Sequence, residues 1–503
     1  MRCLWAMDNL AALAQIPTGS VALAYLDPPF NSGRSYDTVV AAARQSGREI
    51  QSGFCDSWRW SAETSQQAQH LGNWLPKSAV TIINALVSTL GESDISAYLV
   101  MMAPRLAAVH RCLRPEGSMY LHCDPAASHY LKILLDHLFG PENFRNEIVW
   151  KRTHAHNGSR RYGPVHDTIL FYSKSAAYTW NRVFSKYSDS YLTKQFRHSD
   201  KKGKYQLITC TAPGDRTGTR AHYMWRGQWP PPGRHWAWKR EQMETFENDG
   251  CLEYSSNGIP RLKRYTHDGQ GVAVQDIWLD INRLDSHSTE RVGFETQKPL
   301  ALLERLIAAS SNKGDTILDP FSGSGTTAVA AERLGRKWII IDRSLMSSAT
   351  ALARVRQEVN LSAISLKGFP EDSSSARSLL RSDPFAFGIW GSSMLATLPS
   401  RKETNTDIVT GSGNLMAKSR SVELISWVPL RIPDEVPVPP SRRRRLSKLG
   451  LILRHGRSAA TARRWLAGRV SIPLYEIDLD HLVDREALSH GISPRVPELV
   501  RLQ

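Results

Sequence analysis

The chain has 503 residues, 41 % of them hydrophobic and 22 % charged, with 64 basic against 48 acidic residues and a formal net charge of +16. Such a chain holds two or three globular domains with proper cores. It has no uninterrupted apolar run of about 18 residues, which excludes a transmembrane helix, and its positive excess favours polyanionic partners.

The opening stretch "MRCLWAMDNLAAL" lacks the ordered charged, apolar and cleavage regions of a signal peptide, so the expected location is the cytoplasm. Six cysteines are scattered over half the chain without a Cys-x-x-Cys pair. That spacing argues against a zinc module and a disulfide framework, and predicts buried thiols and no metal site.

In chain order, "SVALAYLDPPF" reads as a strand and its end, and "SDISAYLVMMAPRLAAVHRCLRPEG" as a helix closed by a Pro-Glu-Gly turn. "SMYLHCDP" is a strand, "AASHYLKILLDHLFG" a helix, and "HDTILFYSK" a further strand. This alternation predicts an α/β sheet with crossover helices. Residues 31–75 interrupt it, and "FCDSWRW" there reads as a lid element or a packed loop.

From about 180 to 290 the chain turns rich in Trp, Tyr, Arg and Lys, as in "MWRGQWPPPGRHWAWKR" and "GIPRLKRY". Basic residues among aromatics suit backbone contacts and base stacking, and some of the tryptophans are expected to form a local core. Regular signals return with the helix "TQKPLALLERLIAASS", the strand–turn–helix "TILDPFSGSGTTAVAAERLG" and the strand "KWIIID". Residues 431–503 carry 14 Lys/Arg against 8 Asp/Glu.

Two stretches carry chemistry. In "LDPFSGSGTTAVAA", Gly323, Gly325 and Ala328 fit a nucleotide-binding turn, where free N–H groups of the next helix face the ligand. Asp342 ends the next strand and can accept both ribose hydroxyls. Asp319, just before the turn, would repel a pyrophosphate and suits a cofactor with a cationic end, which points to S-adenosylmethionine. In "AYLDPPF", Asp27 and the carbonyl of Pro28 can accept both protons of one exocyclic amino group. Pro28 and Pro29 stiffen that frame, and Phe30 offers a face for a base. Two acceptors on one NH₂ draw its nitrogen out of conjugation and free its lone pair for a methyl group.

"DPPF" and "DPFSGSGTT" resemble the catalytic and cofactor motifs of bacterial site-specific DNA amino-methyltransferases. The order "DPPF", recognition region, "TQKP", glycine turn is similar to the permuted β group, and "LHCDP", "NEIVW", "RHWAW" and "AAERLGRKWIIID" resemble its framework over residues 5–357. The resemblance implies a circularly permuted, Rossmann-like class I S-adenosylmethionine-dependent methyltransferase sheet acting on a base flipped out of double-stranded DNA. It implies a catalytic half over 1–178, an inserted target-recognition region over 179–290, a cofactor half over 291–360, and an irregular, basic, partly disordered extension over 361–503.

Carried over by position, Asp27, Pro28, Pro29 and Phe30 would hold the base. Asp319, Phe321, Gly323 and Gly325 would surround the methionine and sulfonium, and Thr326 or Lys298 would meet the methionine carboxylate. Asp342 would hold the ribose. Arg234, Trp236, Lys263 and Arg264 are the candidate DNA contacts, with bracing of the recognition region as the other role for Arg234, His235 and Trp236. Asp rather than Ser before "PPF" favours adenine N6, and N4 of cytosine or a non-catalytic DNA-binding protein are the alternatives. A nicotinamide oxidoreductase would need no base-stacking turn. A cognate restriction enzyme and a second copy of the chain are further candidate partners.

Among the remaining residues, Asp124 is expected to cap the helix after "LHC", and His122, His166 and Asp167 to be structural. The extension faintly resembles the start of a nuclease-like segment, but its acidic motif and lysine-bearing strand are not evident, so no nuclease is predicted. "SRRRRLSKLGLILRHGRSAATARRWLAGR" reads as a basic DNA-binding helix or a solvated tail.

Overall fold

Short β-branched and aliphatic runs bounded by turn residues form strands, and the longer amphipathic runs between them form helices. The computed structural model describes residues 1–29, 34–36, 54–56, 58–153, 160, 162–285, 288, 290–292, 294, 296–359, 363–395, 398–399, 408–417, 420–429, 448–454, 474–478 and 500–501. The chain divides into two compact units, 1–181 with 276–503, and 182–275.

In the first unit nine strands form one sheet, in the spatial order Ile277–Trp278, Phe144–Lys151, His166–Ser173, Leu113–Cys123, Val21–Leu26, Thr316–Asp319, Lys337–Asp342, Arg2–Ala6 and Ser365–Lys367. All neighbours pair parallel except His166–Ser173, which runs antiparallel to both of its partners. Val21–Leu26 and Thr316–Asp319 are neighbours, with Leu318 opposite Ala24, although almost 300 residues separate them. The Pro-Glu-Gly segment is a bulge and not a helix-ending turn. Leu113 lies opposite Val21 and Ser118 opposite Leu23, so residues 114–117 loop out of the register.

Alternation along the strands assigns the two faces of the sheet. Ala24, Leu26, Leu318, Ile339 and Ile341 share one core with helices Asn9–Ala14, Asp94–Cys112 and Pro125–Phe139. Leu23, Tyr25 and Ile317 therefore turn to the other face, where helix Leu300–Ser310 packs on Val21–Leu26 and on helix Thr326–Arg333.

The second unit has a four-stranded antiparallel sheet in the order Leu252–Tyr254, Pro260–Tyr265, Gly203–Thr209, His198–Asp200. Its core is Cys210, Trp225, Trp236 and Met243. The recognition region was expected over 179–290; Ile277–Trp278 instead pairs with Phe144–Lys151 in the large sheet, which places 276–290 with the first unit.

The extension is regular where it is described, which corrects the expectation of an irregular segment. Helices Ser373–Ser382 and Pro384–Met394 precede six strands in one sheet, Leu398–Pro399 through Val500–Arg501 in chain order. The second helix packs on helix Leu345–Val355, buries Phe387, Ile389 and Trp390, and is tied down by Arg356, which donates to the carbonyls of Ser393 and Met394. "SRRRRLSKLGLILRHGRS" lies largely outside the described residues, but Lys448–Arg454 within it is a strand and not a helix. From "FCDSWRW", Phe54–Asp56 pairs with Arg34–Tyr36, and Trp58 packs on the main core, as a packed loop does. No helix among the described residues is long and apolar enough to cross a membrane.

Candidate active site

Three carboxylates stand at the carboxyl ends of three adjacent parallel strands. Asp27 follows Val21–Leu26, Asp319 ends Thr316–Asp319, and Asp342 ends Lys337–Asp342. In open α/β sheets this edge is where ligands bind. Asp27 continues the alternation of Leu23 and Tyr25 toward the face of helix Leu300–Ser310. There Lys298, two residues before that helix, pairs with it: Lys298 Nζ lies 2.5 Å from Asp27 Oδ2, and both side chains are largely buried.

The glycine turn fills the space between Asp319 and Asp342. Gly323 and Gly325 have φ of +48° and +76°, where side chains are strained. A Cβ on Gly325 would lie 2.7 Å from the Cβ of Ala351, so the turn can pack on helix Leu345–Val355 only with glycine there. The Gly323 N–H donates to Asp342 Oδ2 at 2.9 Å and the Ser344 N–H to Oδ1 at 2.8 Å. Asp319 accepts from the Phe321 N–H at 3.0 Å and the Thr327 hydroxyl at 2.5 Å.

Burial opposes the charge on both acids. It pushes Asp319 up to about 7, with Asp27 and Asp342 adding repulsion against the bonds from Thr327 and Phe321. It likewise pushes Asp342 up to about 6 against the N–H groups of Ser344 and Gly323. A cation beside Asp319 and hydroxyl donors on Asp342 would favour their ionised forms, and such groups are what a sulfonium nucleoside offers.

Residues that carry no motif hold the turn in place. Arg354, buried on helix Leu345–Val355, donates to Ser324 O at 2.9 Å and to Thr326 Oγ1 at 2.9 Å. Asn9 donates to Pro320 O at 2.9 Å and accepts from Arg105 Nε at 2.6 Å. Within "TQKP", Gln297 ties to the backbone of Glu290 and Val292. Glu290 caps the Leu300 N–H at 2.8 Å, because Pro299 at the N-cap has no cap to give. No local pattern flags Arg354, Asn9, Arg105 or Glu290, since their partners lie up to 311 residues away.

Asp27, Pro28, Pro29, Lys298, Asp319, Phe321, Gly323, Gly325, Thr326 and Asp342 therefore share one edge of the sheet; Phe30 lies outside the described residues. Lys298 was expected at a methionine carboxylate, but its ammonium sits on Asp27. Thr326 donates its hydroxyl to the backbone Lys298 O at 3.3 Å and accepts from Arg354 at 2.9 Å, and that guanidinium brings positive charge to it. Beneath Asp27 runs a buried chain: Tyr25 OH to His122 Nδ1 at 3.0 Å, and His122 Nε2 to Asp167 at 3.1 Å. Both rings lie in the core, and Asp124 caps helix Pro125–Phe139 through the Ala127 N–H, so these residues are structural as expected.

In the second unit the four candidate DNA contacts part ways. Trp236 is a core residue, 1 % exposed, with its indole N–H on Tyr223 O, so it braces the unit and cannot stack on a base. Arg234 is tied to Thr211 of the strand paired with its own, and Lys263 is paired with Asp200 at 3.0 Å. Arg264 alone of the four is exposed.

The chain is similar to known proteins. The type II methyltransferase M.EcaI of Enterobacter cloacae is 36 % identical over 260 residues, 52 % of this chain and 57 % of its own length. The Mod subunit of the type III restriction-modification enzyme StyLTI of Salmonella typhimurium LT2 is 25 % identical over 348 residues, 66 % of this chain and 49 % of its own. The chain thus spans about half the length of these relatives. The DNA adenine methyltransferase YhdJ of Escherichia coli K12 is 25 % identical over 338 residues, 67 % of this chain and 76 % of its own. The DNA methylase family of N6 and N4 enzymes matches residues 21–350, from the strand before Asp27 to the helix behind the glycine turn. This chain belongs to that DNA methylase family, and its large sheet is a class I methyltransferase fold.

Proposed function

We propose that this protein methylates the N6 amino group of adenine within a specific sequence of double-stranded DNA, using S-adenosylmethionine, on a base turned out of the duplex. The observation that carries the proposal is Asp27 with its Lys298 partner at the sheet edge beside the glycine turn. S-adenosylmethionine, when bound, supplies a methyl group on a sulfonium.

The residues fit that cofactor. Asp342 would accept the ribose hydroxyls, Asp319 would face the cationic end, and Thr326 with Arg354 would receive the carboxylate. Asp27 and the Pro28 carbonyl accept the two amino hydrogens. With both hydrogens held out of the ring plane, the nitrogen lone pair leaves conjugation. Lys298 donates to Oδ2 of Asp27 and so fixes the orientation of the carboxylate. Phe30 would stack on the base, worth about 1–3 kcal/mol by analogy with single-strand binders. The name of YhdJ supports adenine, and the name of the StyLTI Mod subunit supports a role beside a cognate restriction enzyme.

N4 of cytosine presents the same NH₂ to the same two acceptors, and the matched family spans both bases. In the test, tritiated S-adenosylmethionine is incubated with unmethylated DNA and either wild type or Asp27→Ala. Label should enter DNA only with wild type, while both proteins bind the cofactor. Label transfer by Asp27→Ala would remove Asp27 from the chemistry.

A further inference from the structure

A two-residue type I′ turn joining antiparallel neighbours needs positive φ at both central positions, and glycine, asparagine or aspartate usually fill them. In the 182–275 unit, Trp225 and Gln228 bridge in this way, exchanging backbone bonds of 2.8 and 2.9 Å. Between them stand Arg226 at φ +47° and Gly227 at φ +80°. Among the described residues Arg226 is the only non-glycine with positive φ. Strain retained where glycine would sit freely implies that the side chain is what the position needs.

That side chain is aimed in advance. Trp225 anchors the turn in the unit's core and donates to Tyr254 OH at 3.2 Å; Tyr254 donates to Glu247 at 2.7 Å. Arg226 Nη2 lies 2.7 Å from the same Glu247 oxygen, and its guanidinium carbon is 5.3 Å from the Tyr254 ring centre. The Arg226 side chain is nevertheless 62 % exposed. A guanidinium has five N–H donors, and Glu247 leaves several for a ligand. Next to the turn, Trp229 is 51 % exposed and stacks on His222 at 5.0 Å. Arg216 and Arg220 are exposed on the loop before it. An exposed turn that combines a fixed arginine fork, an exposed aromatic and further arginines has the chemistry of a groove reader.

We propose that Arg226 is a specificity-determining residue that reads the O6 and N7 edge of one guanine in the major groove of the DNA site. The proposal rests on the DNA reading of the preceding section. Its test uses the full chain with Arg226→Gly, which fits the backbone and relieves its strain, and with Arg226→Lys, which keeps the charge without the fork. Methylation of a DNA library is mapped by sequencing, beside cofactor binding and thermal unfolding.

Arg226→Gly should unfold at the wild-type temperature or higher and bind S-adenosylmethionine as wild type does. Its methylation rate at the wild-type site should fall on the order of 10-fold or more, with discrimination lost at one G·C pair. Arg226→Lys should not restore that discrimination. Unchanged rate and preference in Arg226→Gly would overturn the proposal and leave Arg226 a strut to Glu247. A loss uniform over all sequences, with a shallower salt dependence, would make it a phosphate contact and overturn base reading. Absence of methylated DNA with wild type would overturn the DNA reading and this proposal together.

Discussion

Asp27 and Lys298 form a pair that joins residues 271 positions apart. Asp27 was legible because an acid followed by two prolines after a buried strand is a rare local pattern. The pairing was not, since nothing near Lys298 in the chain says which strand end it will face. Asp319 and Asp342 carry a pH dependence of definite sign. Their folded values, about 7 and about 6, lie above the usual 3.8. The folded state therefore binds more protons than the unfolded chain between about pH 4 and 7, and the free protein loses stability as pH rises through that window. A cationic, hydroxyl-bearing cofactor needs the two anions, so its affinity should move the opposite way. Thermal unfolding with and without S-adenosylmethionine at pH 5.5 and 8 is the check. The free protein should melt lower at pH 8, and the increment from cofactor should be larger there. An increment that shrinks with pH would mean that these acids do not meet the cofactor.

The strand–turn–helix Thr316–Arg333 shows how far an element can be read in advance. Alternation marks the strand and Gly-x-Gly marks the turn, but its closeness to helix Leu345–Val355 appears only in three dimensions. Gly325→Ala should cost about 1–2 kcal/mol for a side chain in the left-handed region plus the displacement of Ala351, whose Cβ it would approach to 2.7 Å. Calorimetry should show a lower melting temperature and weakened cofactor binding together. A variant as stable as wild type with full affinity would mean that the turn tolerates a side chain and is not packed as described. Trp236 marks the opposite limit. An aromatic in a basic stretch reads equally as a stacking platform or as a core residue, and only its position against Cys210 and Met243 decides.

The permuted order of the chain is resolved by the sheet, which brings Val21–Leu26 beside Thr316–Asp319 and so builds one edge from two distant halves. The extension was the least legible part because Gly411, Ser412, Gly413 and Asn414 interrupt the apolar pattern of strand Ile408–Ala417, and an arginine-rich stretch runs up to strand Lys448–Arg454. Helix Pro384–Met394 nevertheless belongs to the unit that carries the site: Trp390 is fully buried, and Arg356 holds the end of that helix. Trp390→Ala should destabilise that unit by about 3–5 kcal/mol, read by chemical denaturation. A change below about 0.5 kcal/mol, the range of surface substitutions, would mean that the extension does not support the methylase sheet. The net charge of +16 suits a polyanionic substrate.

The central claim is methyl transfer to adenine N6 in DNA. The most direct measurement is mass spectrometry of nucleosides from unmethylated DNA incubated with the purified chain and methyl-labelled S-adenosylmethionine. The account predicts the label in N6-methyl-deoxyadenosine. Label in N4-methyl-deoxycytidine would move the pocket to the other base, and DNA without label, from protein that binds the cofactor, would contradict the claim.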